Sequence, residues 1–103
     1  MTKALLVIDA QNDYFPGGAF PLWNAEAVLE NILQAIGSAQ AKTIPVILIQ
    51  HVSNAAKGPS PFFNSGTKGV KIHPHVLAAA PDAPVVVKEF ADAFYKTNLD
   101  ELL

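Results

Sequence analysis

The sequence contains no cysteine and no arginine, and both absences limit what the chain can do. Without cysteine there can be no disulfide framework. All seven basic residues are lysines, they form no cluster, and the formal net charge is -2, so no feature predicts binding to nucleic acid. No apolar run approaches the roughly 20 residues that span a bilayer, and the first residues lack the pattern of a signal peptide. We therefore expect a cytoplasmic protein with neither a nucleic-acid nor a membrane partner.

Charge is also scarce, at 16% of residues against roughly 25% in average proteins. Half of the 103 residues are hydrophobic, which predicts a globular chain with a modest core and at most one domain over residues 1–103. A surface with so few charges suggests that part of it is covered by another segment or by a subunit partner.

Hydrophobic patterning predicts the α/β class, as half of a doubly wound, mainly parallel sheet. Unbroken apolar runs predict strands at 4–9, Val46–Gln50 and Val85–Val87, the first of them covered on both faces. Between the first two strands, apolar residues recur at helical spacing from the N-cap Asn24 to Gln40. Further along, the sequence predicts a short helical turn at Pro74–Ala80 and a helix capped by Thr97.

Asp9 and Lys88 each end an apolar strand, so both are predicted to lie at the carboxyl edge of the sheet, where α/β proteins bind ligands. If the first and third strands lie close together, the two side chains can meet. A carboxylate held there can act as a base, and the alternative is a purely structural ion pair. Asp13 is expected to cap a turn or to be solvated. Gln11 either orients a substrate or bonds to the backbone.

Aromatic residues gather in the loops and at their borders, where they can wall an apolar pocket or cover the core. We include Phe15, Phe20, Trp23 and Phe63 with Gln11 as candidate substrate-binding residues.

The histidines do not have the spacing of a metal site. His73 and His75 lie two residues apart, while His51 has no close partner and opens a long loop to Lys71. Zinc needs three or four converging ligands, and no glycine-rich phosphate loop follows the first strand. We therefore expect no metal and no cofactor.

Four segments in order, ALLVIDAQNDYFPGGAF, PVILIQHV, SGTKGVKIHP and VVVKEFADAFYKTNLDELL, resemble the isochorismatase-like cysteine hydrolases, which include the nicotinamidases. The paired motifs D-x-Q-N-D-[YF] and K-x-x-x-x-A-F-x-x-T are quite specific. The resemblance implies a six-stranded, doubly wound sheet and an Asp–Lys–Cys triad, in which Asp9 and Lys88 match the first two members. The family's cysteine follows the fourth strand, so the chain is expected to be the N-terminal half of such a domain.

The resemblance also implies a reaction. A thiolate attacks a carbonyl carbon, a thioester forms and water releases the acid, with Asp9 as general base and Lys88 as its partner. The second strand ends IQHVSN, without the D-x-H metal motif of nicotinamidases. We therefore expect cleavage of a small amide, ureide or carbamoyl substrate, by a homo-oligomer whose C-terminal half supplies the cysteine. The chain alone would be inactive.

Two other functions compete with this one. A non-catalytic binding half-domain or pseudoenzyme would also lack the nucleophile. A phospho-acceptor receiver domain also groups acids and a lysine at strand ends, but it needs an aspartate where Lys88 ends the third strand.

Overall fold

A three-stranded parallel sheet forms the centre of the molecule. The computed structural model describes residues 3–53 and 60–103 and places β2 (Val46–His51) between β1 (Leu5–Ile8) and β3 (Val85–Lys88). Ile8 is in register with Ile49, and His51 is in register with Lys88. The predicted α/β class and the three predicted strands are confirmed, with β2 and β3 each one residue longer than expected.

The connections are helical where the sequence predicts helices. α1 (Ala25–Ala41) begins after Asn24, which occupies the N-cap position without a side-chain capping bond. α2 (Pro74–Ala79) matches the predicted turn. The N-cap of α3 (Leu99–Leu102) is Asn98, so the prediction of Thr97 was wrong by one residue. The Thr97 hydroxyl still accepts a hydrogen bond from the Leu99 N–H, at 3.3 Å. A 3₁₀ helix at Asn12–Tyr14 was not predicted.

Each face of the sheet has its own apolar cluster. On one face α1 and α2 bury Ile36 and Val76 completely against Val7 and Leu48. On the other face Leu99 of α3 packs on Ile47, Ile49 and Val86. Burying each such side chain contributes about 1.5–3 kcal/mol before the cost in conformational entropy. The packed sheet is therefore a rigid support for the residues that follow its strands.

β1 departs from the expectation that both of its faces are covered. Val7 is buried, but Ile8 is 51% exposed. The two side chains point to opposite faces of the sheet, and the described residues that pack around Leu99 on the face of Ile8 do not cover it. β1 also lies at the edge of the sheet and pairs only with β2 in the described part of the chain. An apolar strand edge of this kind is a surface on which another strand can pair.

None of the helices within the described residues combines the length and the apolar character that crossing a bilayer requires.

Candidate active site

The carboxyl ends of the three strands bring Asp9, His51 and Lys88 together. His51 and Lys88 are paired in the register of β2 and β3, so their side chains project from the same face of the sheet. Asp9 directly follows β1, and its N–H donates to the Ile49 carbonyl at 3.0 Å. The sequence patterns predict Asp9 and Lys88 at this edge. They place His51 at the start of the following loop, whereas it is the last residue of β2.

Asp9 and Lys88 form an ion pair across the middle strand. Lys88 Nζ lies 3.4 Å from Asp9 Oδ1, although β1 and β3 are not neighbours. Two strand spacings separate them, about 9–10 Å, and the long lysine side chain spans that gap. Asp9 has a left-handed φ of 60°, which ends the alternation of side chains along β1. Non-glycine residues adopt this conformation rarely, and Asp tolerates it better than most.

The Lys88 side chain is only 3% exposed, and its ammonium donates hydrogen bonds to His51 Nδ1 at 3.0 Å and to the Phe90 carbonyl at 3.1 Å. Its third contact, with Asp9, is the ion pair. The two hydrogen bonds are shorter than the ion pair. Asp9 Oδ1 is buried and accepts no hydrogen bond from any described residue. The carboxylate therefore lies beside a positive charge while one oxygen keeps its lone pairs unused.

His51 must present Nδ1 as an acceptor, because an ammonium can only donate. In the neutral ring this places the proton on Nε2. Burial lowers the pKa of His51, the positive charge of Lys88 lowers it further, and the negative charge of Asp9 opposes both effects. The neutral ring that the hydrogen bond requires is thus the form that the site favours.

Gln11 holds the backbone at His51 in place. Its Oε1 accepts from the His51 N–H, and its Nε2 donates to the His51 carbonyl, both at 2.7 Å. The same Nε2 donates to the Val70 carbonyl at 2.7 Å, to which Gln50 Nε2 also donates at 2.8 Å. Gln11 is completely buried. The geometry matches the second of the two roles considered for it, bonding to the backbone, and gives no support to direct contact with substrate.

Asp13 fixes the loop that carries Phe63. It is buried, and its carboxylate accepts from the Ala19 N–H at 2.9 Å and from the Phe63 N–H at 2.7 Å. Phe63 has a left-handed φ of 59°, which is rare for a bulky residue, and its ring lies 5.8 Å from that of His51 between centroids. Asp13 therefore acts through the backbone, as a turn-capping acid would, and is not solvated.

Tyr14 connects the acid to the aromatic residues. Its ring centroid lies 4.6 Å from that of Phe63, and rings of Phe20 and Phe62 extend the same cluster. Burial raises the pKa of the Tyr14 hydroxyl, and the negative charge of Asp9 raises it further. Tyr14 was not among the predicted site residues; its position directly after Q-N-D was the only available signal.

A cavity of about 270 Å³ opens beside Asp9. Three of the predicted site residues, Asp9, Phe15 and Trp23, lie in its wall, and the rest of the wall is mostly apolar. The lining residues are Ile8, Asp9, Ala10, Tyr14, Phe15, Leu22, Trp23, Ala25, Val28 and Ile32. Phe15 is buried, while Trp23 is 90% exposed at the rim. Phe20 and Phe63 lie in the neighbouring aromatic cluster and not in this wall. A cavity of about 290 Å³ at the opposite end of the sheet, around Pro45 and Pro84, has no such acid–lysine pair.

Neither of the remaining histidines is in the Asp9–His51–Lys88 cluster, and the ring of His73 lies 4.7 Å from that of Phe15 between centroids. The rings of His73 and His75 are 5.0 Å apart, and His73 Nδ1 accepts from the His75 N–H at the start of α2. Burial lowers the pKa of His73, and the charge of His75 lowers it further. Over residues 3–53 and 60–103, no group of three or more His, Cys, Asp or Glu side chains converges in a way that could hold a metal ion.

Comparison with known proteins gives a consistent family assignment. The sequence profile of the isochorismatase domain matches residues 3–103. Over 100 residues the chain is 37% identical to YddQ, an uncharacterised isochorismatase family protein of Bacillus subtilis (strain 168), covering 97% of this chain and 54% of that protein. A crystal structure from Oleispira antarctica, assigned to the isochorismatase hydrolases, superimposes with a TM-score of 0.86 at 36% identity over 98% of this chain and 54% of the other.

A more distant similarity extends to N-carbamoylsarcosine amidase from Thermoplasma acidophilum. The TM-score is 0.83 at 22% identity, over 100% of this chain and 61% of that one, so this match shows a shared fold only. The chain spans about half the length of the Bacillus subtilis and Oleispira antarctica relatives.

Proposed function

Because this chain belongs to the isochorismatase family of hydrolases, we propose that it carries the acid–base half of a cysteine hydrolase site that cleaves small amide-type C–N bonds. The observation that supports this most is the Asp9–Lys88 ion pair at 3.4 Å, with Asp9 Oδ1 buried and accepting no hydrogen bond from the described residues. A base needs a free lone pair within reach of the proton that it takes. The nucleophilic cysteine would come from polypeptide outside these 103 residues, which contain none.

In the proposed reaction Asp9 takes the thiol proton and the thiolate attacks the carbonyl carbon of the substrate. The tetrahedral adduct collapses, the C–N bond breaks, and the leaving nitrogen takes the proton from Asp9. Water then attacks the thioester as Asp9 removes its proton. The C–S bond breaks, the acid leaves, and the cysteine thiolate regains a proton from Asp9. Lys88 keeps a positive charge beside Asp9 and stabilises its ionised form before each proton transfer.

The substrate would be small and uncharged at its reacting end. The cavity beside Asp9, at about 270 Å³ with mainly apolar walls, lies just below the usual range for ligand sites, about 300–1,000 Å³. An amide, ureide or carbamoyl group with a compact apolar substituent suits that volume. We also propose, from the family resemblance, that the working enzyme is a homo-oligomer, and, from the sequence features given above, that it is cytoplasmic.

The absence of cysteine also leaves a second function open, in which the chain binds a small molecule without turnover. One experiment distinguishes the two. The intact protein, as expressed from its gene, is incubated with a panel of small amides, ureides and carbamoyl compounds, and the release of ammonia or amine is followed before and after alkylation with iodoacetamide. Hydrolysis that alkylation abolishes supports the cysteine hydrolase. Binding without hydrolysis, or hydrolysis that alkylation leaves intact, contradicts it.

A further inference from the structure

We propose that His51 is a positioning residue. Its Nδ1 accepts a hydrogen bond from the Lys88 ammonium and so holds the ammonium beside Asp9, while His51 itself does not bond to the carboxylate. The inference rests on the proposed function for its effect on catalysis, and on the geometry alone for the contact. Lys88 Nζ donates to His51 Nδ1 at 3.0 Å and to the Phe90 carbonyl at 3.1 Å, whereas Asp9 Oδ1 is 3.4 Å away.

Two neutral acceptors thus fix the cation, and Asp9 gains a nearby positive charge while its Oδ1 accepts no hydrogen bond within residues 3–53 and 60–103. If the ammonium donated directly to that oxygen, the bond would compete with the proton that a base must accept. If nothing but Asp9 held the ammonium, a buried donor would lack a partner, which is costly. His51 accepts a hydrogen bond from one N–H group of the ammonium. That donor is therefore satisfied and does not bond to the Asp9 oxygen.

The position of His51 is fixed independently of Lys88. Gln11 bonds both backbone groups of His51 at 2.7 Å, and the ring lies against Phe63, whose N–H donates to Asp13. The charged groups that face the ring are Lys88 from β3 and Asp9 after β1. A protonated His51 could not accept from Lys88, so the contact exists only with the neutral ring.

Substitutions at His51 separate positioning from packing. His51→Phe keeps an aromatic ring against Phe63 but removes the acceptor, and His51→Asn offers an amide oxygen near the position of Nδ1. Because small misplacements of a reacting group cost up to about 100-fold in rate, we expect His51→Phe to lower kcat of the intact enzyme by roughly 10- to 100-fold with little change in KM. His51→Asn should recover most of that loss. His75→Phe, the same change at an exposed histidine, is the matched control.

The tautomer of His51 is measured without substrate, by long-range ¹H–¹⁵N correlation spectra of the intact protein near pH 8. The proposal requires a neutral ring protonated on Nε2. A ring protonated on Nδ1 would overturn it, as would equal losses of kcat in the Phe and Asn variants. If the Phe variant does not fold, the tautomer and the Asn variant decide. If the wild type hydrolyses no amide, the proposed function fails, while the tautomer still tests the contact.

Discussion

Gln11 binds the backbone of His51 through both ends of its side-chain amide, with the N–H and the carbonyl of His51 each 2.7 Å from it. The side-chain amide thus pairs with the backbone of β2 beyond the end of β1, where a neighbouring strand would otherwise pair. A residue three positions beyond the end of one strand thereby fixes the last residue of the next strand, which in turn contacts Lys88 at the end of the third.

Replacing Gln11 with leucine should destabilise the protein by about 2–6 kcal/mol, because two buried backbone groups of His51 would each lose a partner at roughly 1–3 kcal/mol per group. The free energy of unfolding in urea measures this. Gln40→Leu is the matched control: Gln40 is exposed and donates one hydrogen bond to the Ala79 carbonyl, so its loss should cost less than about 1 kcal/mol. Equal costs would show that the Gln11 bonds do not act as described.

Gly69 and Gly37 should respond oppositely to alanine. A Cβ on Gly69 would overlap the Asp13 carboxylate, whereas nothing lies within 4 Å of the Cβ position at Gly37 in α1. We expect Gly69→Ala to destabilise the protein by more than about 2 kcal/mol, since Asp13 must give up its bonds to Ala19 and Phe63. Gly37→Ala should stabilise it by roughly 0.5–1 kcal/mol. Thermal unfolding of both variants tests these two predictions. A Gly69→Ala protein as stable as the wild type would contradict the role given to Asp13.

Stability should fall as the pH drops below about 6.5, the ordinary histidine pKa. The pKa values of His51 and His73 are both lowered in the folded state, chiefly by burial. The unfolded chain therefore binds more protons below that pH, and the free energy of unfolding rises with pH through that window. Urea unfolding at several pH values should show this slope. His51→Asn should make it shallower, and adding His73→Asn shallower still; an unchanged slope would count against these shifts.

The pKa of His51 should move in opposite directions in two variants of the site. Lys88→Met removes a positive charge that lowers this pKa, so the pKa should rise. Asp9→Asn removes a negative charge that raises it, so the pKa should fall. Proton NMR titration of the His51 ring reports both values, with Lys42→Met as the control at an exposed lysine. Shifts in the same direction in both variants would contradict the observed arrangement of the three groups.

The strand patterns were sufficient to predict the sheet and the shared position of Asp9 and Lys88 at its carboxyl edge. The apolar runs ending at Asp9 and Lys88 predicted both the strands and the carboxyl edge that the two residues share. The same reasoning would have found His51, since it also ends such a run, but its isolation from other histidines suggested a loop residue. The register of β2 and β3, which pairs His51 with Lys88, is a tertiary property that single-strand patterns do not contain.

Other features depended on long-range contacts. The roles of Gln11 and Asp13 come from bonds to residues 40 and 50 positions away in the chain, and local sequence carries no signal for them. The exposure of Ile8 follows from how far the packing around Leu99 extends over that face of the sheet, whereas an apolar run alone resembles a strand covered on both faces. Among the candidate aromatic residues, Phe15 and Trp23 line the cavity beside Asp9 while Phe20 and Phe63 do not, because the loops fold back in ways that composition does not determine.

The role of general base, which we assign to Asp9, is tested most directly by kcat/KM of the intact protein toward an amide that it hydrolyses. Asp9→Asn keeps the size of the side chain but removes the proton acceptor, and we expect a loss of roughly 1,000-fold or more. Asp82→Asn, at an exposed aspartate by the opposite end of the sheet, should retain wild-type activity. If Asp9→Asn hydrolyses the amide as fast as Asp82→Asn, the carboxylate beside Lys88 is not the base.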